Sequence, residues 1–200
     1  MSTKIIDIEC PHCHAAVDIE QRRCKYCKEP IIISTFNSVY DMPIPMVNKL
    51  ANTNRQLLDA DPENKEVNFS SGCCLLRLKL YDKALNAFEK AIQDNYDNTE
   101  SFFYAAICLL GGKKAFLAQR SEIDKIEEYI NAALMIEPKG VYHYLLAYIK
   151  YDYFSRKSYK TSPTYQEALA AAQSLGVSFL DFQQLYANLG VTCPEPIAIF

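Results

Sequence analysis

Two short pairs of cysteines carry the clearest chemistry in this sequence. Cys10-Pro-His-Cys13 is followed, after a gap of ten residues, by Cys24-Lys-Tyr-Cys27. Two residues between thiols bring both sulfurs onto one side of a tight knuckle. Two knuckles facing each other supply four sulfurs in a tetrahedron, which suits zinc. Cys10, Cys13, Cys24 and Cys27 would complete the shell of one Zn2+ per chain. A closed shell leaves no position for water, so such a metal is structural and not catalytic. His12 and His14 are adjacent alternatives as ligands, and with four cysteines present they fall outside the shell. A disulfide reading fits less well. The N-terminal MSTKIIDIEC lacks the basic and apolar regions of a secretory signal, and the expected compartment is the cytoplasm, where thiols stay reduced.

Little else reads as reactive. His143 is the only histidine outside the cysteine region, and it falls in an apolar helical pattern. Gly111-Gly-Lys-Lys lacks the spacing of a phosphate-binding loop and follows a helix. Cys73-Cys74 reads as helix packing, and no nucleophile elbow or open metal-ligand set appears. The chain therefore reads as a non-enzyme. A net charge of −3 gives no global pull toward nucleic acid or an anionic membrane. No apolar run reaches the length needed to cross a bilayer.

The text that must position the cysteines alternates like strands, over 4–9, 16–20 and 30–35. With the two CxxC pairs, residues 1–40 resemble a zinc ribbon. Their basic residues, Arg22 to Lys28 above all, are balanced by acids within the same stretch. Pro43 and Pro45 disfavour helix before each of them, which marks 41–45 as a linker.

Helical periodicity takes over from there. A helix is expected over 46–60, stopped by Asp61-Pro62. The stretch 68–98 has Gly72, Ala84, Phe88 and Ala91 at the spacing of a tetratricopeptide repeat, a unit of two helices that needs stacked neighbours to bury its apolar face. Its helices are expected over 65–80 and 81–95. Tyr96 stands where the family has a closing proline, a departure from the pattern. Further pairs are expected over 100–110 with 122–136, and 142–154 with a helix starting at Ser162-Pro163 and ending at Gly176. Ser121 with Asp124, and Ser178 with Asp181, read as capping pairs. The helix 179–189, stopped by Gly190, reads as the cap that a repeat array needs at its open end. The tetratricopeptide resemblance spans about 46–189, and the array with its capping helix is assigned to 46–190, followed by a tail, 191–200. The fold class is α+β: a small β zinc ribbon followed by an all-α, tetratricopeptide (TPR)-like superhelical repeat array.

That resemblance implies a binding scaffold whose first helices line a groove. By register the groove includes Phe69, Arg77, Phe103, Tyr142 and Tyr153. The Lys and Asn with which some family members grip a carboxylate are replaced here by Phe69, Cys73, Tyr104, Tyr142 and Leu146. An apolar peptide or an amphipathic helix is thus the expected ligand, and the chain reads as a protein–protein interaction adaptor with no membrane partner. Two inserted segments, 111–120 and 150–160, carry Lys113, Lys114, Arg156 and Lys157 among aromatic residues. They supply the alternative reading, a nucleic-acid-associated protein that uses the basic edge of the ribbon and these Tyr/Lys/Arg-rich loops.

Overall fold

In the computed structural model, which describes residues 7–18, 22–93 and 97–200, the chain divides into two units, Met1–Asn95 and Tyr96–Phe200. The stretch 41–45, expected as a linker, falls within the first of these units. The reason lies in the core of the first unit. Cys10, Val17, Cys24 and Ile31 are buried in one cluster with Leu57 and Val67, which belong to the helices that follow. The cysteine region is built onto the first helices instead of standing apart from them.

Its strands are short. β1 (Asp7–Glu9) pairs antiparallel with β2 (Ala16–Asp18), with Ile8 opposite Val17. Residues 4–6 and 19–20 of the expected strands lie outside the described residues. The third expected strand, 30–35, does not form: a single bridge joins Arg23 to Pro30. Pro30 has no N–H to give to a ladder. Beyond it, Ile31 and Ile33 turn inward and are fully buried, and the Ile33 N–H donates to Ser70 Oγ at 2.9 Å. Ser70 in turn donates to Asn54 Oδ1 at 3.2 Å. A buried hydroxyl and amide thus replace the missing strand partner and stitch this segment to two helices.

A short helix α1 (Asn37–Tyr40) leads into α2 (Ile44–Ala60), whose first turn holds Pro45. Proline suits that turn because its missing N–H has no partner there, so the second expected linker proline starts the helix instead of preceding it. α3 (Lys65–Arg77) begins with Asn64 Oδ1 accepting from the Val67 N–H at 3.1 Å. α4 (Tyr81–Ile92) lies against it. Gly72 allows the contact: a Cβ there would come within 2.7 Å of the Phe88 ring. Ala84, Phe88 and Ala91 are fully buried beside it.

The second unit pairs α5 (Thr99–Leu109) with α6 (Arg120–Ile136), and α7 (Gly140–Ile149) with α8 (Tyr165–Leu175), and closes with α9 (Phe179–Leu189). Three of these helices start with a reciprocal capping box. Gln119 with Glu122 starts α6, two residues before the expected Ser121–Asp124 pair. Thr164 with Glu167 starts α8, and Ser178 with Asp181 starts α9 as expected. Gly190, at φ 67°, ends α9 in the left-handed region that favours glycine. α7 runs on as a π-helical turn over Lys150–Ser155. No helix among the described residues is long and apolar enough to cross a membrane.

Candidate metal centre and binding surfaces

The two CxxC turns are built alike. The His14 N–H donates to Cys10 O, and the Lys28 N–H to Cys24 O, each at 2.9 Å. The Cys10 N–H donates to Ala15 O, and the Cys24 N–H to Glu29 O, again at 2.9 Å. His14 and Lys28, the residues just after each pair, both take a positive φ, 61° and 65°. Residues with a Cβ accept that region only where the surroundings hold them there.

Facing each other, these turns bring all four sulfurs of Cys10, Cys13, Cys24 and Cys27 within 4.8 Å of one another. Cys10 Sγ lies 3.8 Å from Cys27 Sγ, and Cys13 Sγ 3.6 Å from Cys24 Sγ. All four are free thiols. The Tyr26 N–H points at Cys24 Sγ from 3.4 Å. The Cys27 backbone N–H, with that of Tyr26, favours the Cys24 thiolate and pulls its pKa down to about 6. Burial pushes the Cys10 thiol up. The Glu29 N–H favours the Cys27 thiolate, but burial and the neighbouring sulfurs outweigh it and push that thiol up to about 12. Sulfurs this close resist ionising together, and a cation between them removes that resistance. The cluster can hold a metal ion. The side chains around it are tied down: Arg22 pairs with Glu66, Arg23 donates to Lys28 O at 2.8 Å, and His14 Nε2 lies 3.2 Å from Lys49 Nζ.

The expected groove lining is found elsewhere. Phe69, Phe103, Tyr142 and Tyr153 are 3%, 5%, 1% and 4% exposed. Phe69 meets the Phe88 ring edge-on at 5.9 Å, Phe103 stacks on Tyr142 at 4.8 Å, and Tyr153 packs on Phe154 at 5.2 Å. Tyr142 Oη lies 3.0 Å from Thr99 Oγ1. Arg77 donates from Nε to Tyr40 O at 2.8 Å. These five side chains do packing work inside their own units. The register that points them at the groove also points them at neighbouring helices, and the helices win.

The inserted segments do come together, but not as free cations. Ala115–Leu117 forms a 3₁₀ turn. The Ala115 N–H donates to Tyr148 Oη at 3.3 Å, and the Phe116 N–H to Asp152 Oδ2 at 2.8 Å. Arg156 pairs with Asp152 and lies 4.5 Å from the Phe116 ring centroid. Lys157 sits over Tyr153 at 3.8 Å. Lys113 and Lys114 remain exposed. Lys150, 4% exposed, pairs with Glu127 and donates to Thr161 Oγ1, both at 2.6 Å.

A second aromatic set, unmarked in the sequence reading, faces residues 191–200. Tyr144 donates to Ile197 O at 2.7 Å. Tyr144 and Tyr186 have their rings 6.1 Å apart, and Tyr148 and Tyr186 likewise. Burial pushes the phenols of Tyr144, Tyr148 and Tyr186 well up, so they stay protonated donors. Tyr144 with Tyr148, and Phe182 with Tyr186, stand four residues apart, the spacing that puts side chains on one helix face. That spacing is the signal that would have found them.

No family model matches the chain, and no curated protein sequence matches it. Among solved structures, "MamA RS-1 ArsTM double mutant" is similar at a TM-score of 0.53, over 70% of this chain and 74% of that one, at 18% identity. "MamA AMB-1 P212121" gives 0.48 over 72% and 82%, also at 18% identity, a likeness too loose to argue from. At such identity the first likeness is one of fold alone: a mostly helical, tetratricopeptide-like repeat architecture is what this chain shares with it.

Proposed function

We propose that the chain is a non-enzymatic protein–protein interaction adaptor in which a structural zinc ion braces the first helical repeat. One observation carries the reading: helices stack in tetratricopeptide fashion, with Gly72 against Phe88 as the close contact. The fold likeness to the MamA structure supports it. Zinc is the ion the sulfurs suit. A tetrahedron with Zn–S bonds of about 2.3 Å has edges of about 3.8 Å, and two of the six sulfur pairs stand at 3.8 and 3.6 Å. Cys10, Cys13, Cys24 and Cys27 would hold it, closed to water. The alternative, nucleic-acid binding through basic loops, loses support because Arg22 and Arg156 are each paired with an acid.

The test uses the full chain as bait and then the purified pair. A captured protein that binds saturably, and nearly as well at high salt as at low salt, supports the adaptor. An oligonucleotide that binds in its place, with affinity falling steeply as salt rises, would replace the adaptor with the alternative.

A further inference from the structure

The segment 191–200 is seated on the second unit in the manner of a bound peptide. It forms no strand or α-helix, only a 3₁₀ turn at Glu195–Ile197. The backbone at Pro194 has φ −68° and ψ 135°, and that at Ala198 has φ −66° and ψ 132°. These are polyproline II angles, the conformation in which aromatic grooves take extended ligands. Two side chains anchor it. Ile197 is fully buried, and its carbonyl accepts from Tyr144 Oη at 2.7 Å. The Phe200 ring rests on Phe179 and Phe182 at 5.5 and 5.4 Å, yet Phe200 is 61% exposed. Between these anchors and α7 the fit is loose. A cavity of about 390 Å³ lies beside Pro194, Glu195 and Pro196, walled on the other side by Lys114, Tyr148, Tyr151, Asp152 and Arg156. Lys114 puts positive charge on the wall that an acid in the position of Glu195 would face, while Arg156 there is already paired with Asp152.

We propose that this face of α7 and α9 is the docking surface for an extended segment of another protein, of Pro-acidic-Pro-aliphatic chemistry, and that residues 191–200 are its built-in competitor. The proposal rests on the adaptor reading and narrows it to one surface and one ligand chemistry. Tyr144 gives a hydrogen bond to the main chain, the Ile197 pocket selects an aliphatic residue, and Lys114 selects an acid between the prolines. A competing ligand has to replace the buried Ile197, the contact of Cys193 Sγ with Tyr144 Oη at 3.5 Å, and an exposed Phe200 ring.

The probe is a fluorescently labelled peptide with the sequence of residues 191–200, read by anisotropy against the full chain. The double variant Ile197→Asp, Phe200→Ser should release the resident segment and bind the probe saturably. The unaltered chain should bind at least about tenfold more weakly, because its own segment occupies the surface. A probe with Asp in place of the isoleucine at the position of Ile197 should not bind either protein. A specific protease site placed between Gly190 and Val191 covers the case in which the variant does not fold: the chain folds first, is then cut, and the cut segment should exchange with the probe. A folded variant or cut chain that does not take up the probe overturns the proposal. So does equal binding to the variant and the unaltered chain. Failure here, alongside a captured partner whose binding ignores Tyr144→Ala, leaves the adaptor reading intact. Absence of any saturable protein partner sinks that reading separately.

Discussion

Residues 10–18 and 22–33 of the first unit and the inserted segments 110–119 and 150–161 of the second all lie outside the α-helices and against them, and different chemistry holds each set. The first is gathered on four sulfurs, with a handful of apolar side chains around them. The second is pinned by scattered buried polar groups: Asp152 on the Phe116 N–H and on Arg156, Lys150 on Glu127 and Thr161, Tyr148 on the Ala115 N–H. The difference follows from how much surface each stretch can bury. A segment as short as the cysteine region cannot hold itself together by apolar burial, so its binding energy is concentrated at one point. The insertions, though shorter, lie against fully formed helices and can be fixed one hydrogen bond at a time. Concentrated support fails all at once, and distributed support fails locally.

The largest effect expected from this comparison is on the first unit. Metal binding in small structural zinc sites is worth about 10–16 kcal/mol. Stripping the ion with a chelator, or combining Cys10→Ser with Cys24→Ser, should therefore unfold 10–33. Because Ile31 and Val17 share their core with Leu57 and Val67, α2 should loosen with it. Hydrogen exchange is the readout: protection should fall over 10–33 and 44–60 and persist over 120–149. Metal analysis that finds no zinc, or exchange that the chelator leaves unchanged, would break the comparison at its strongest point.

This coupling shows where the sequence was legible and where it was not. The four sulfurs could be read because spacing alone determines a knuckle. The pairing of α3 with α4 could be read because Gly72, Ala84, Phe88 and Ala91 are chosen for close approach, and no other contact explains small residues at that spacing. The absence of a third strand could not. It depends on Ser70 and Asn54, which are distant in sequence from Ile33 and look like ordinary polar residues of helices. The groove positions are a related case. Phe103 and Tyr142 sit at groove positions by register, but a register fixes a direction and not what fills the space there. They fill it with each other. The burial of Lys150 and Asp152 inside the inserted segment 150–160 could not be read either, because the π-helical turn that draws them inward has no marker in the local text.

A smaller effect is expected at Asp152, and it probes the distributed side of the comparison. Asp152 is 2% exposed, whereas the side chain of its partner Arg156 is 39% exposed. Asp152→Ala strands the Phe116 N–H and leaves Arg156 unpaired. It should cost about 3 kcal/mol, the low end for breaking a buried pair, because Arg156 can turn to water. Arg156→Met should cost clearly less, since methionine can still cover the Phe116 ring while the carboxylate keeps its backbone donor. Denaturant unfolding of the two variants decides between them. Protection over 10–33 should stay unchanged in both, and a global collapse in either would show that the second unit also depends on a single point.

The smallest effect separates the two units at their helix starts. α3 is capped by the neutral amide of Asn64, while α8 is capped by Thr164 together with a carboxylate. Glu167 Oε2 accepts from the Thr164 N–H at 2.7 Å and from Thr164 Oγ1 at 2.9 Å. The backbone and side-chain bonds from Thr164 hold the Glu167 carboxyl below its ordinary pKa. A carboxylate depressed in this way contributes stability that is complete above the ordinary carboxylate range and is lost as pH falls through the lowered value. Asn64 has no proton to gain in that window. At neutral pH, Asn64→Ala and Thr164→Ala should each cost about 1 kcal/mol. On acidification the penalty at Thr164 should shrink, because protonated Glu167 no longer accepts both bonds and the reciprocal cap is already half lost. The penalty at Asn64 should hold. Protection factors at the first turns of α3 and α8, which correct for the pH dependence of intrinsic exchange, measure both. Equal acid sensitivity at the two starts would mean that the Glu167 bonds add nothing to what the Thr164 hydroxyl does alone.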